Sequence, residues 1–212
     1  MNKNKKYLIS VIILIILFMF VSKIYNKKIL NDCINNTNDN SDKINYNTNI
    51  LFTINTDNVS SKINYKLERY YEVKVVNFSN YVNDKIQNSV KKYIVGNNTY
   101  VLDGNTYKKQ ENKEEFDINY SLLKNKIKSY KNNKYIIKMK SYDAYNLLYN
   151  KEIMKKDDTN YNVDVNIIID KKNKFIKELF YEIKIDNISY NIKISNSNIN
   201  NKEKIELPFE IN

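Results

Sequence analysis

The side chains that most often carry catalysis are nearly absent from this sequence. Its 212 residues include no His, no Trp, one Cys, one Pro and two Gly. Without His the chain has no Ser-His-Asp triad, no Cys–His pair and no imidazole ligand for a metal ion. One Cys cannot form an internal disulfide, and two separated glycines cannot form a phosphate-binding loop. The sequence therefore predicts a protein that is not an enzyme and has no cofactor.

The other chemical candidates are carboxylates that lie close together in the sequence. These are Glu114–Glu115, Asp157–Asp158, and Asp164 with Asp170. A calcium-binding loop needs alternating acidic residues followed by Gly, and that pattern is absent. Asp157 and Asp158 are typical of a polar turn, and Asp164 alternates to the solvated face of a strand. We therefore predict no catalytic residue and no metal ligand.

Nineteen tyrosines are the side chains best suited to line a ligand cavity. Tyr142, Tyr145 and Tyr149 share one face of a predicted helix, because they recur at i, i+3 and i+7. We expect this face and the inward side of a sheet to enclose an apolar ligand. The other residues predicted to line this cavity are Leu148, Ile167, Ile169, Tyr181 and Ile183. The alternative is that the tyrosines are ordinary core residues of a chain without Trp.

A long apolar segment near the N-terminus decides the predicted compartment. From Tyr7 to Val21 the only polar residue is Ser10, and the segment continues to Tyr25. At ~1.5 Å per residue, it nearly spans the ~30 Å hydrocarbon layer of a bilayer. Lysines precede it, which favours a cytoplasmic N-terminus. The sequence predicts an uncleaved signal anchor in residues 1–25, with the rest of the chain outside a cell membrane.

Two other fates of this segment stay open. A cleaved signal peptide would need an A-x-A-like site, which is absent after Phe20. A lipoprotein would be lipidated at Cys33, but this residue lies eleven positions beyond Ser22 and lacks small residues before it. Cys33 is otherwise a free exposed thiol or half of an intermolecular disulfide. The membrane partner is thus residues 7–25, or the protein is secreted or lipid-anchored.

The net charge of +11 does not predict nucleic-acid binding. Arg69 is the only arginine among 35 basic residues, and the lysines are interleaved with Asp and Glu. Nucleic-acid binders usually use Arg and concentrate their charge on one face. The excess of Lys instead suits a domain that lies near an anionic membrane.

The remaining chain divides into a linker and a domain. Residues 26–49 are rich in Asn, Asp, Ser and Thr, which predicts a flexible stalk. From Ile50 to Phe209, apolar and polar residues alternate, as is typical of strands with one buried face. We predict an α+β domain over 50–212 that is mainly antiparallel β. It is a strongly curved open sheet, or half-barrel, of about ten strands with about two helices on its concave face.

Local signals place turns and helices in this domain. Helical spacing predicts one helix over 119–130 and a second over 141–156, with Ser141 as its N-cap. The alternation over 205–209 predicts a final edge strand around Pro208. Tight hairpins are predicted at Gly96 and at Asp103-Gly104.

Three stretches of the domain carry a resemblance to a known fold. Residues 93–107 contain short strands around Gly. Residues 163–179 contain a long strand that ends in Asp, a turn and a returning strand. Residues 200–208 are similar to a final edge strand before Pro. Together they resemble the lipoprotein-carrier fold of LolA and of LppX-type lipoproteins, as in envelope proteins of low-GC Gram-positive bacteria.

This resemblance implies a bent, incomplete antiparallel barrel over residues 50–209 that wraps short helices around an apolar cavity. No ligand or catalytic residue carries over. LolA-type carriers are soluble and LppX-type proteins are usually lipidated, whereas this chain has a predicted helical anchor. The leading hypothesis is a membrane-anchored, extracytoplasmic, non-enzymatic protein that binds a lipid, an acyl chain or a lipoprotein between sheet and helices. The alternative is a structural or assembly protein of the cell envelope that acts through protein–protein contacts.

Overall fold

A computed structural model describes residues 3–39, 44–111, 116, 118–131, 134–148, 161–201 and 203–210. The helical elements in this part of the chain are α1 Lys3–Asp39, a 3-10 turn Tyr120–Leu123 and α2 Ser141–Asn146. The strands are β1 Tyr46–Asn55, β2 Ser60–Tyr70, β3 Val73–Val82, β4 Lys85–Val95, β5 Asn98–Asp103, β6 Thr106–Glu111, β7 Ile127–Lys131, β8 Lys134–Lys140, β9 Asn162–Asp170, β10 Phe175–Ile185 and β11 Ile188–Ser197.

The eleven strands of the described chain form one antiparallel sheet. Its strand order is β6-β5-β4-β3-β2-β1-β11-β10-β9-β8-β7. The first and last strands pair with each other in the middle, with Asn47 opposite Ser197 and Asn55 opposite Ser189. Because β6 and β7 stay as edges, the sheet is not closed. The predicted fold class, a curved and open antiparallel sheet with helices on its concave face, is confirmed.

Gly96 and Gly104 form hairpin turns, as predicted. Each is the first residue of a two-residue loop between paired strands. Their φ angles are +55° and +62°, a region that residues with a Cβ atom disfavour.

The main hydrophobic core lies on the concave face of the sheet. In β9 the alternation buries Val163, Val165 and Ile167 and exposes Asn162 and Asp164. The helical elements and the turn that follows α2 add further apolar side chains to this core: Leu30, Ile34, Leu123, Ala144, Leu147 and Leu148. Burial of apolar surface is the main favourable contribution to folding, so the helices and the sheet stabilise each other across this face.

Residues 26–39 correct the predicted flexible stalk, because they continue α1 and pack on the sheet. Leu30, Cys33, Ile34 and Thr37 are at most 1% exposed. Their spacing of i, i+3, i+4 and i+7 forms a single stripe along the helix. Tertiary packing of this stripe outweighs the weak helix propensity of the surrounding Asn and Asp residues. The end of the predicted stalk belongs to β1.

The predicted helix over 119–130 is wrong beyond its first turn. The 3-10 turn ends at Leu123, and Asn125 has a φ of +62°. This left-handed conformation interrupts a helix. The following residues form β7, the edge strand that pairs with β8. Pairing with β8 therefore decides the structure of a segment whose local spacing is helical.

The helix predicted from Ser141 begins at that residue, but Ser141 is not its cap. Lys140 occupies the cap position without a side-chain cap bond. The Ser141 N–H donates to the carbonyl of Tyr161 at 3.0 Å, which extends the pairing of β8 with β9 into the helix. Residues 149–156 of the predicted helix, among them Tyr149, lie outside the described residues, and so do Asp157 and Asp158 of the predicted polar turn.

The C-terminal tail covers a smaller apolar cluster on the convex face. Ile205, Leu207 and Phe209 pack against outward-facing residues of β3 to β6. The ring centroid of Phe209 lies 4.8 Å from that of Tyr100 and 4.6 Å from that of Tyr107. The predicted final edge strand is wrong, because these alternating residues pack on a face of the sheet and form no strand pairing.

Candidate ligand-binding site

Most residues predicted to line a cavity lie in a filled part of the concave core. Four of them are at most 3% exposed: Leu148, Ile167, Tyr181 and Ile183. Tyr145 and Ile169 pack partly buried against the same core, and Tyr142 is half-buried on α2. Tyr149 lies outside the described residues. None of the described seven lines the cavity found beside this core, and ligand contact by them stays a prediction.

A cavity of about 370 Å³ opens on the concave face of β1 and β2. Its other walls are the C-terminal end of α1 and residues 116 and 118–121. The volume falls at the lower end of the ~300–1,000 Å³ typical of small-molecule sites. The cavity thus lies beside the C-terminal end of α1, over the concave face of β1 and β2.

Along β1 and β2, the side chains that line the cavity change from apolar at one end to cationic at the other. The opposed pairs on β1 and β2 are Ile50 with Tyr65, Thr48 with Leu67, and Tyr46 with Arg69. Residues two apart on a strand face the same side, so the three pairs are successive steps along one wall. A wall of this kind can contact both the apolar and the polar part of an amphiphilic molecule.

Arg69, the only arginine of the chain, is buried at the polar end of this wall. Its side chain is 7% exposed. The guanidinium carbon lies 5.3 Å from the ring centroid of Tyr46, an arrangement that stabilises a cation over an aromatic face. Lys74 stands directly opposite Arg69 on β3. Two cationic residues therefore occupy adjacent positions on the concave face.

A buried hydrogen-bond network fixes the back of the cavity. The Thr48 hydroxyl donates to Oδ1 of Asn196 at 2.7 Å, and Nδ2 of Asn196 donates to the Tyr120 hydroxyl at 3.2 Å. Nδ2 of Asn196 also donates to the carbonyl of Ile176 at 2.8 Å, and the Ile176 N–H donates to Oγ1 of Thr37 at 2.9 Å. Ile176 precedes the first pair of β10 with β11. The network therefore provides hydrogen-bond partners for the N–H and the carbonyl of Ile176, which do not pair with β11.

Tyr120, a titratable residue of the cavity wall, has a raised pKa. Burial raises the pKa of Tyr120 above its ordinary value, against the opposing effect of the hydrogen bond from Asn196. Its hydroxyl therefore stays protonated at neutral pH. Among the described residues, no group of three or more Cys, Asp and Glu side chains is placed to hold a metal ion.

Cys33, on the face of α1 that packs on the sheet, is completely buried, so the predicted exposed thiol is wrong. Burial raises the pKa of its thiol to about 12, with Asp32 and Asp170 adding to the increase. A thiol reacts through its thiolate. In the folded protein Cys33 is therefore a small core residue, and its lipidation or intermolecular disulfide stays a prediction.

Before its docked stripe, α1 is an uncovered apolar helix. Side chains from Val11 to Val21 and at Ile24 and Tyr25 are mostly more than half exposed. In the described chain, α1 contains one candidate span, within Ser10–Asn38, that is long and apolar enough to cross a membrane. A membrane anchor and a signal sequence both have this length and composition.

The sequence alone does not single out the cavity wall. Its residues come from α1, β1, β2 and an irregular segment after β6, which only the fold brings together. One signal is available in hindsight from the residues themselves. Arg69 shares the parity of Tyr65 and Leu67 on β2, so the single arginine of a Lys-rich chain points to the buried face.

No protein-family model matches the chain, and no curated protein matches it. Ten solved chains match it by structure. LprF from Mycobacterium bovis is 11% identical with a TM-score of 0.48, over 86% of this chain and 96% of LprF.

Two further matches have lower scores. The lipoprotein LppX from Mycobacterium tuberculosis is 8% identical with a TM-score of 0.40, over 84% of this chain and 98% of LppX. A LolA superfamily protein from Nitrosomonas europaea is 8% identical with a TM-score of 0.33, over 84% of this chain and 94% of that protein. The solved structures that the chain is similar to thus include LppX and a LolA superfamily protein, the two kinds of protein that the sequence was predicted to resemble.

Proposed function

We propose that the chain is a membrane-anchored, extracytoplasmic protein that binds an apolar ligand, such as the acyl chain of a lipid, without enzymatic activity. The observation that carries this proposal is the cavity of about 370 Å³ between the concave sheet face and the end of α1. The acyl chain would contact the apolar steps of the wall at Ile50, Tyr65 and Leu67. A polar group of the same ligand would lie toward Tyr46 and Arg69.

The uncovered part of α1 supports the membrane anchor. Residues 7–25 would cross the bilayer, with the N-terminus in the cytoplasm and the sheet domain outside. The long exposed apolar surface of this segment is costly in water and favourable in lipid. An anchor that is continuous with the docked helix suits a stationary binding protein better than a diffusing carrier.

Photo-crosslinking tests the binding site directly. The full chain in lipid nanodiscs is irradiated with a diazirine-bearing fatty acid, and labelled peptides are identified by mass spectrometry. We expect labels on peptides from β1 and β2. Leu67→Trp should reduce this labelling at least several-fold, because the larger side chain fills the cavity.

Ile63→Trp is the matched control for this experiment. Ile63 lies on the same strand and the same face as Leu67, is also partly buried, and does not line the cavity. It should leave the labelling nearly unchanged. Equal labelling in the two variants, or labels confined to α1, would contradict a ligand in this cavity.

A second candidate function is assembly through protein–protein contacts in the cell envelope. It is favoured by the filled core beneath β8 to β11 and by the two open sheet edges, β6 and β7. An unpaired edge strand can pair with a strand of another protein. Crosslinking in cells that captures one stoichiometric partner at these edges would support this function, and retention of labelling in Leu67→Trp would favour it further.

A further inference from the structure

We propose that the domain rests on an anionic bilayer surface through a collar of five exposed lysines: Lys27, Lys28, Lys134, Lys171 and Lys172. This inference rests on the membrane anchor proposed above. It adds a defined contact surface and a lipid class to that anchor. The lysines come from α1, from the start of β8 and from the turn after β9.

The first step is the direct attachment of the anchor helix to the sheet. Thr37 on α1 accepts a hydrogen bond from the Ile176 N–H at 2.9 Å. The buried stripe that ends at Thr37 packs the same face of α1 against the sheet. Asn31 donates through Nδ2 to Oδ1 of Asn125 at 3.1 Å and accepts from the Asn125 N–H at 3.3 Å. Asn125 lies just before edge strand β7. Hydrogen bonds therefore attach α1 to the domain at Thr37 and at Asn31. The part of α1 that precedes Asn31 extends beyond this edge of the sheet.

The second step is the short distance between this edge and the predicted bilayer. The apolar segment ends at Tyr25, six residues before Asn31, which is ~9 Å along the helix axis. The headgroup region extends ~5–8 Å beyond the hydrocarbon layer. Since α1 is continuous through these residues, edge strand β7 would lie ~1–4 Å beyond the headgroup region, which is within a Debye length of ~8 Å of it.

The third step places the collar at the same end of the sheet. The start of β8 pairs with the end of β7, with Lys134 opposite Lys131 and Tyr135 opposite Tyr130. The rings of Tyr130 and Tyr135 have centroids 4.6 Å apart, and Nζ of Lys171 lies 5.9 Å from the Tyr130 centroid. These contacts join edge strand β7, beside which Asn31 of α1 is hydrogen-bonded, to the lysine-rich turn after β9.

The five lysines outnumber the carboxylates of Asp32 on α1 and Asp170 at the end of β9, so this surface is positive. Asp170 is held by hydrogen bonds from the backbone of Lys172 and Asn173 and the side chain of Asn173. Asp164 pairs with Lys128 at 3.1 Å. Each lysine close to an anionic surface strengthens association roughly five-fold. The partner that fits is therefore a bilayer rich in anionic lipid.

Fluorescence quenching in nanodiscs measures the contact. A bimane label on Ser129→Cys, an exposed position of β7, reports the collar edge, and Asn105→Cys, in the turn between β5 and β6, reports the opposite edge. Buried Cys33 leaves the wild-type chain as the unlabelled reference. With headgroup-spin-labelled lipid and about one-third anionic lipid, we expect quenching at 129 to exceed that at 105 at least three-fold.

Charge reversal tests the lysines themselves. Lys171→Glu/Lys172→Glu should reduce quenching at 129 at least two-fold, and Lys85→Glu/Lys109→Glu, at exposed sites on β4 and β6, should not. Nanodiscs made only of zwitterionic lipid should also reduce the quenching at 129 of the otherwise unchanged chain. Equal quenching at 129 and 105 in discs that contain the chain overturns the collar and leaves the anchor intact. A chain that does not enter discs at all overturns the anchor, and the collar with it.

Discussion

The two halves of the concave face are built from similar alternating strands, yet one is filled and the other holds a cavity. Over β9 and β10, α1 contributes Leu30 and Ile34, both 0% exposed. Over β1 and β2, Leu67 stays half-buried and lines about 370 Å³ of space. The difference is the length of α1, which ends at Asp39 beside the cavity. A covering helix, and not the strand pattern, decides where this sheet has room for a ligand.

Truncation of one side chain in each half should give the largest effect. Ile34→Ala removes a fully buried side chain from the filled half, and it should lower the free energy of unfolding by about 3 kcal/mol. Leu67→Ala borders existing space and should cost less than half as much, about 1 kcal/mol. Urea unfolding of the full chain in detergent micelles, followed by circular dichroism, measures both. Equal losses would mean that the two halves are packed alike.

The sheet could be predicted from sequence, because its strands carry one face of apolar residues and two of its hairpins carry Gly at the turn. The position of the cavity could not. The alternation along β9 and β10 correctly predicts that Ile167, Tyr181 and Ile183 face the concave side of the sheet. It does not predict whether a helix covers these side chains or leaves a cavity over them. The stripe of Leu30, Cys33, Ile34 and Thr37 is visible in the sequence, although the many Asn residues around it predict a stalk.

In two further segments, a local sequence pattern predicted the wrong secondary structure. At residues 127–131, the pairing of β7 with β8 outweighs local helical spacing. At residues 205–209, alternation correctly indicates one apolar side, but not whether it meets a sheet edge or a sheet face. In both cases the missing information is the identity of the neighbouring element, which a local pattern does not contain.

Loss of the hydrogen bond that attaches α1 to the sheet should give an intermediate effect. Thr37→Val keeps the shape of the side chain but leaves the buried Ile176 N–H without its acceptor, which should cost about 2 kcal/mol. Thr53→Val, a half-buried position on the outward side of β1, is the matched control and should change stability by less than ~0.5 kcal/mol. A similar small change in both variants would show that packing alone holds the helix.

A substitution in the turn after β9 should give the smallest effect on stability, and one that depends on pH. Burial acts to raise the pKa of Asp170, but hydrogen bonds from Asn173 and Lys172 outweigh it and hold the pKa below its ordinary value. The folded state therefore favours the carboxylate. Its contribution is present above the unfolded pKa of ~4 and is lost as the pH falls through the folded value.

Asp170→Asn should therefore lower the free energy of unfolding at pH 7 by about 1 kcal/mol, and the difference from wild type should shrink below pH ~4. Asn173→Ala removes the side-chain donor at 2.8 Å and should reduce this pH dependence without abolishing it. Urea unfolding at a series of pH values measures both variants. A stability difference that stays constant across this range would mean that the charge of Asp170 does not hold the turn, and that its shape as a hydrogen-bonded loop is sufficient.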